Sequence, residues 1–210
     1  IGWTLDMQGR AMHKSLGNMI EFNEAADAAG GDVMRWASLC QRPESDMLFG
    51  YHVMDDVRRR FLLPLWNVYS FFVMYANVDG WTPAPGGSAA FSVLDNWIMA
   101  RLNELVVEVT AALDDYDAVR ATRAVEPFLD DLSNWYVRRS RRRFWKSEAD
   151  ADKNAAYSTL YTVLTALTRL LAPMTPFVTE TLYQNLVRSV YPNAPATTDA
   201  PATTDAPATT

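Results

Sequence analysis

Residues 54–79 read MDDVRRRFLLPLWNVYSFFVMYANVD, and the spacing within them decides the fold. Apolar side chains at Met54, Val57, Phe61, Leu65, Val68, Phe72 and Tyr75 recur every three or four residues, the period of one helix face. Pro64 has no N–H to donate to the preceding turn, so a kink is expected there. Residues 61–76, FLLPLWNVYSFFVMYA, are apolar and follow Arg58, Arg59 and Arg60, the composition of a membrane anchor. At sixteen residues, with Asn67 inside, the run is shorter than the ~20 that span a bilayer, and a central bundle helix accounts for it.

Towards the C-terminus the same period repeats. Ser92 and Asp95 have the spacing of a capping box, which starts a second helix with Leu94, Ile98, Leu102, Leu105 and Val109 on one face. A third helix is expected over about 118–146, burying Val125, Phe128, Leu129, Leu132 and Tyr136. A fourth runs over about 151–171, with Tyr157, Leu160, Tyr161, Leu164, Leu167 and Leu171 inward. Thr175 followed by Pro176 opens a fifth over about 176–190. Short connections between amphipathic helices make a bundle, so the fold class is all-α. The Pro- and Gly-rich residues 81–90 separate the first two helices. Residues 194–210 repeat APATTD and lack the apolar surface to offset ordering, so they read as a disordered tail or an artefact.

Towards the N-terminus the pattern is shorter in range. Residues 3–6 read as extended, Gln8-Gly9 as a turn and residues 11–18 as a loop; residues 21–40 hold two short helices broken at Gly30-Gly31, the second capped by Asp32.

With 210 residues and 49% of them apolar, the chain can form a core of one domain plus an extension. One cysteine, Cys40, excludes a disulfide framework and a multi-cysteine zinc site, as suits a reducing compartment. Two histidines, His13 and His52, are too few for most metal chemistry, so no metal site is expected. The opening IGWTLDMQGR lacks the apolar run of a secretory signal. A net charge of −6 argues against bulk coating of nucleic acid, yet Arg138, Arg139, Arg141, Arg142, Arg143 and Lys146 concentrate six cations within nine residues.

Two segments carry candidate chemistry. Residues 10–18, RAMHKSLGN, set one lysine among Ser, Gly and Asn, which can offer an ammonium and backbone amides to phosphate oxygens. The run lacks P-loop spacing, and by composition alone such loops are more often merely solvated. In the arginine run, helical spacing turns Arg139 and Arg143 to the same inner face as Leu129, Leu132 and Tyr136, to be paired with Asp114, Asp115, Asp130 or Asp131. Arg138 and Arg141 point outward, with Arg142 at the flank, either as phosphate contacts or as a solvated face. Trp135 and Trp145 flank the run, as packing residues or as platforms for an unpaired base. Arg58, Arg59 and Arg60 read as a helix-surface group.

AMHKSLGN is similar to the KMSKS–LGN signature of class I aminoacyl-tRNA synthetases, and GGDVMRW, at the expected distance, to that family's GAD–ALR–W segment. Residues 94–117, LDNWIMARLNELVVEVTAALDDYD, and 130–146, DDLSNWYVRRSRRRFWK, resemble the isoleucyl branch in particular. The resemblance extends from residue 2 to about 195. It implies an end of a catalytic domain with its connector over 1–48, a helical anticodon-binding domain over 49–193 and the tail from 194. It further implies that Lys14 and Ser15 are catalytic and that Met12, His13, Lys14 and Ser15 meet ATP, with its Mg2+. Arg138, Arg141, Arg142 and Trp145 would then contact the anticodon arm of tRNA(Ile). Ala11 and His13 depart from the signature's first lysine and serine, leaving one permanent cation in place of two. Isoleucine and ATP are substrates of the full enzyme, which the resemblance makes a cytoplasmic monomer away from membranes. This segment alone, without the HIGH-containing half, is expected to be inactive and to bind no cofactor.

Overall fold

The computed structural model describes residues 2–83, 91–146 and 150–190. Among the described residues the strands form, beside an isolated antiparallel bridge between Leu5 and Ala11, a minimal parallel pair, β1 (Thr4–Leu5) against β2 (Met47–Leu48). Between them lie α1 (Phe22–Ala29) and α2 (Gly31–Leu39), split at Gly30, whose φ of 90° is accessible to a residue without Cβ. Then come α3 (Tyr51–Val57) and α4 (Leu63–Asp79), α5 (Val93–Asp114), α6 (Ala118–Asp130), α7 (Arg138–Trp145), α8 (Ala151–Leu171) and α9 (Pro176–Tyr183). The bundle expected from the periodicity is the observed architecture. The APATTD repeat and most of the 81–90 connection lie outside the described residues.

Helix starts follow side chains that accept orphan amides. Ser92 Oγ accepts the amide of Asp95 at 3.2 Å while Asp95 Oδ2 accepts that of Ser92 at 2.8 Å, a complete capping box. Asp117 and Asp150 cap α6 and α8 through the amides of Arg120 and Lys153. Asp32 does not cap α2 as its position suggests: α2 starts from Gly30 without a side-chain cap, and the Asp32 carboxylate reaches across the molecule to the amides of Phe177 (3.3 Å) and Val178 (2.6 Å) at the start of α9. The apparent local cap is a tertiary one.

Two long helices are each interrupted by a wide π-helical turn. Arg58–Leu62 joins α3 to α4, and there the Leu63 amide reaches back five residues to the Arg58 carbonyl. Pro64 follows at once and has no N–H for the regular ladder, which gives the expected kink its form. Asp131–Val137 joins α6 to α7, with the Arg138 amide bonded to the Ser133 carbonyl.

The core runs along these helices: Phe61, Leu65, Ile98, Leu129, Leu132 and Leu160 are essentially inaccessible to water, and each such burial contributes roughly 1.5–3 kcal/mol. The continuous helix Tyr51–Asp79, at 29 residues, is long and apolar enough to cross a membrane. It is longer than the apolar run judged from sequence, and its Met54, Phe61, Leu65, Val68 and Phe72 lie in the bundle core. Trp36 of α2 stacks flat on Phe61, ring centroids 3.6 Å apart, and Arg35 donates to the carbonyls of Pro173 (2.9 Å) and Met174 (3.1 Å). With Asp32, these contacts fix the N-terminal region onto the far end of the bundle.

Candidate nucleic-acid interface and phosphate loop

β1 delivers the chain to the loop that holds Lys14. Asp6, buried to 7% exposure, organises it: Oδ1 accepts the amides of Gln8 (3.0 Å) and Arg10 (2.9 Å), and Oδ2 accepts Arg10 Nε and Asn18 Nδ2, both at 2.9 Å. Asn18 also donates to the Ala11 carbonyl at 3.1 Å and accepts the His13 amide at 3.0 Å. Hydrogen bonds from Asn18 and from the Arg10 amide hold the Asp6 carboxyl well below the usual carboxylate range. Lys14–Leu16 forms one 3₁₀ turn closed by Gly17, whose φ of 67° is left-handed. The expected loop therefore has an ordered tip. His13, Lys14 and Ser15 are exposed and Met12 is half-buried; among the described residues no carboxylate pairs with Lys14. The tip can present an ammonium to an anion.

The second focus is α7. Arg138, Arg141, Arg142 and Trp145 stand at i, i+3, i+4 and i+7, one stripe of a helix. The three guanidinium groups are exposed and have no carboxylate partner among the described residues. Trp145 is 58% exposed, and its indole N–H donates to Tyr75 Oη at 2.6 Å, which fixes the ring's edge and leaves a face open. Lys146 is withdrawn from the basic surface, bridged at 3.1 Å to both Asp150 and Asp152, with Asp152 first in raising its pKa.

Arg143 turns inward as expected, but to different partners. Its Nη1 and Nη2 donate to Asp95 Oδ1 and Oδ2, each at 2.8 Å, and Nε lies 2.8 Å from Asp152 Oδ1. Tyr136 Oη donates to Asp95 Oδ1 at 2.7 Å. Asp114, Asp115 and Asp130 are exposed on the surface, and Asp131 is taken by Arg101 at 2.9 Å, so none of the four proposed acids is used. Burial pushes the Asp95 carboxyl up, but hydrogen bonds from Arg143, Tyr136 and Ser92 outweigh it and bring it down to about 2. Burial and the Asp95 charge push Tyr136 far up. The result is a buried anion with every acceptor site used.

Arg139 is a correction. It is exposed, its guanidinium 5.4 Å from the centroid of the half-exposed Trp135 ring, a cation–π pair on the surface. The π turn at Asp131–Val137 holds more residues per turn than an α-helix, so the inner face passes from Tyr136 to Ser140 and Phe144 rather than to Arg139. Of the smaller group, Arg58 is bound to Asp55 and to the carbonyls of Ala28 and Ala29, and Arg59 to Asp56; among the described residues Arg60 alone of the three lacks an ion pair.

Comparison with known proteins places this arrangement. The family model described as "Anticodon-binding domain of tRNA ligase" matches residues 95–206, a run that includes the Asp95–Arg143 pair, α7 and part of the APATTD repeat. The chain is 51% identical over 196 residues to an isoleucine–tRNA ligase of Dehalococcoides mccartyi, covering 92% of this chain. It is 45% identical over 198 residues to that of Thermus thermophilus, again over 92% of the chain. It spans 19% of the length of each of these relatives. Among solved structures, methionyl-tRNA synthetase of Mycobacterium tuberculosis in complex with methionyl-adenylate is similar in fold, with a TM-score of 0.70 at 24% identity over 90% of this chain and 39% of that one. A LeuRS–tRNA–LeuAMS ternary complex from Agrobacterium radiobacter gives 0.67 at 19% identity, over 89% of this chain and 22% of that one. With more than half of its residues matched by the family model, the chain belongs to the anticodon-binding domains of tRNA ligases.

Proposed function

We propose that this chain is part of an isoleucine–tRNA ligase, in which the helical domain grips the anticodon arm of tRNA(Ile) through Arg138, Arg141, Arg142 and Trp145. The observation that carries the reading is the α7 stripe: three exposed guanidiniums without carboxylate partners among the described residues, beside an exposed indole. Guanidiniums in this state suit phosphate oxygens, and the indole suits an unpaired base. Within this reading, residues 1–48 end the catalytic domain and 49–193 form the helical domain, the repeat from 194 having no role in either.

In the full protein Lys14 and Ser15 face ATP, carried as its Mg2+ complex, together with Met12 and His13. The Lys14 ammonium steadies charge that grows on the departing pyrophosphate as the isoleucine carboxylate attacks the α-phosphate. The activated amino acid is then transferred to the terminal ribose of the tRNA. The reading makes the protein a cytoplasmic monomer. This chain by itself is a tRNA-binding module and carries out no aminoacylation.

The test is tRNA binding by this chain at several salt concentrations. Affinity is expected to fall steeply with salt, log K changing by about 0.7–0.9 per log unit of salt for each phosphate neutralised. The double substitution Arg138→Glu and Arg141→Glu lowers affinity and flattens that slope while melting stays as in the wild type. Unchanged binding removes α7 from the interface. For the catalytic part, isotope exchange between pyrophosphate and ATP in the full-length protein is expected with isoleucine, and exchange driven by leucine or valine instead reassigns the substrate.

A further inference from the structure

We propose that Asp6 is the positioning residue of the phosphate loop, cinching its neck so that the exposed Lys14 tip is held in one place. The inference rests on the reading of Lys14 given above.

Backbone bonds hold the base of the loop, Asp6 N–H to the Arg10 carbonyl at 2.8 Å and Met12 N–H to the Thr4 carbonyl at 3.3 Å, but the tip itself lies in water. His13, Lys14, Ser15, Leu16 and Gly17 are all exposed, and a segment without buried apolar contacts opens readily. Its geometry is set at the neck. Asp6 precedes the tip and Asn18 follows it, and their side chains meet at 2.9 Å. From Asp6 one set of bonds runs to the amides of Gln8 and Arg10, which shape the outgoing arm. The other runs through Asn18 to the carbonyl of Ala11 and the amide of His13, one residue from Lys14. A single buried carboxylate thus ties both arms of residues 7–17. Its proton affinity, lowered chiefly by Asn18, keeps it an acceptor at any physiological pH.

A neck of this kind matters to a reacting lysine because displacement of a catalytic group by about 1 Å can cost 10²-fold in rate. The Asp6 carboxylate touches no substrate; its effect passes through Lys14. That distinguishes it from a residue that merely supports the fold.

The experiment is a double-mutant cycle in the full-length protein, read as pyrophosphate exchange with isoleucine and ATP. Lys14→Ala is expected to lower kcat by about 10²–10³-fold. Asp6→Ala is expected to lower kcat by about 10–100-fold with the KM for isoleucine unchanged. The double variant is no slower than Lys14→Ala alone, since an absent lysine has no position to lose. Asn18→Ala repeats the effect through the other half of the neck and carries the test should Asp6→Ala fold poorly; a melting curve checks each variant. If Lys14→Ala is slow but Asp6→Ala and Asn18→Ala keep the wild-type kcat, the positioning role is refuted and the reading of Lys14 stands. Additive losses in the double variant refute it too, assigning Asp6 to the fold at large. Wild-type exchange by Lys14→Ala removes both the lysine's role and its positioning.

Discussion

The Lys14 loop and helix α7 both turn cations outward, but they hold them by different means. The loop is a surface excursion whose shape comes from short-range hydrogen bonds to Asp6 and Asn18, with an exposed tip. Helix α7 is nailed to the bundle by a pair buried between helices: Asp95 at the start of α5 and Arg143 near the end of α7, their side chains 0% and 12% exposed. A cation on the loop can move with its neck, whereas a cation on α7 is fixed to the core. The first suits a group that closes on a substrate and the second a rigid face that reads the shape of a folded polyanion.

The strongest way to break this comparison is to remove one acid from each region. Asp95→Ala leaves Arg143 buried without its bidentate partner and frees Tyr136, and breaking such a pair costs about 3–5 kcal/mol. For a chain of this size that is a fall of roughly 6–20 °C in melting temperature, read by circular dichroism. Asp6→Ala, although it deletes four hydrogen bonds against the five of Asp95, is expected to leave the same curve unmoved. Equal losses from both would mean that the loop is part of the core's cooperative unit.

Acid sharpens the contrast next. The folded-state pKa of Asp95 lies at about 2 against an ordinary 3.8, so the pair's stabilisation is complete above pH ~4 and is lost as pH falls towards 2. The shift corresponds to about 2 kcal/mol. Melting temperature is therefore expected to be insensitive to this group between pH 5 and 8 and to drop steeply below pH 4, with the Asp95→Asn variant showing a shallower acid limb. Parallel limbs in the two proteins would assign acid unfolding to other carboxylates.

What could be read from the residues follows the range of the interactions involved. The α8 boundaries and the Ser92–Asp95 box were legible because helix caps and apolar periods are local. The second role of Asp95 was not, since nothing in a sequence states which helices cross, and the acids nearest in type, Asp114 and Asp130, lie on the outside. Asp32 was misread for the same reason: a carboxylate in a first turn looks like a cap for its own helix, whereas these amides belong to α9, about 145 residues away. The neck residue Asp6 did leave a signal that went unused. An aspartate two and four residues before amides it accepts, with Gly9 between, is the pattern of a side-chain-mediated turn. Of the proposed interface, the arginine run was legible in the composition and the set Arg138, Arg141, Arg142 and Trp145 came with the resemblance; the structure puts all four on one side of α7.

A smaller effect tests the joint that holds the two regions in one body. Asp32→Ala deletes a cap whose acceptor and helix are far apart in sequence, and loss of a cap costs about 1 kcal/mol. The same change should raise amide hydrogen exchange at Phe177 and Val178 while leaving Val33 and Met34 unaffected, because α2 does not use the carboxylate. Faster exchange at the start of α2 would restore the local-cap assignment.

The smallest expected effect falls on Arg139, and it is informative because it is small. By unbroken α-helical spacing Arg139 continues the face of Leu132 and Tyr136, and removing it would then leave a buried acid unpaired. The wide turn at Asp131–Val137 gives that inward position to Ser140 instead and leaves Arg139 over Trp135 in water. Arg139→Ala is thus expected to change stability by no more than about 0.5 kcal/mol, the range of a surface site, while Arg143→Ala loses several by stranding Asp95. The two arginines are one helical turn apart and chemically identical. A large loss from Arg139→Ala would mean that the helix runs through this segment without the extra residue, which would turn the whole stripe of Arg138, Arg141 and Arg142 relative to the bundle and aim the proposed interface elsewhere.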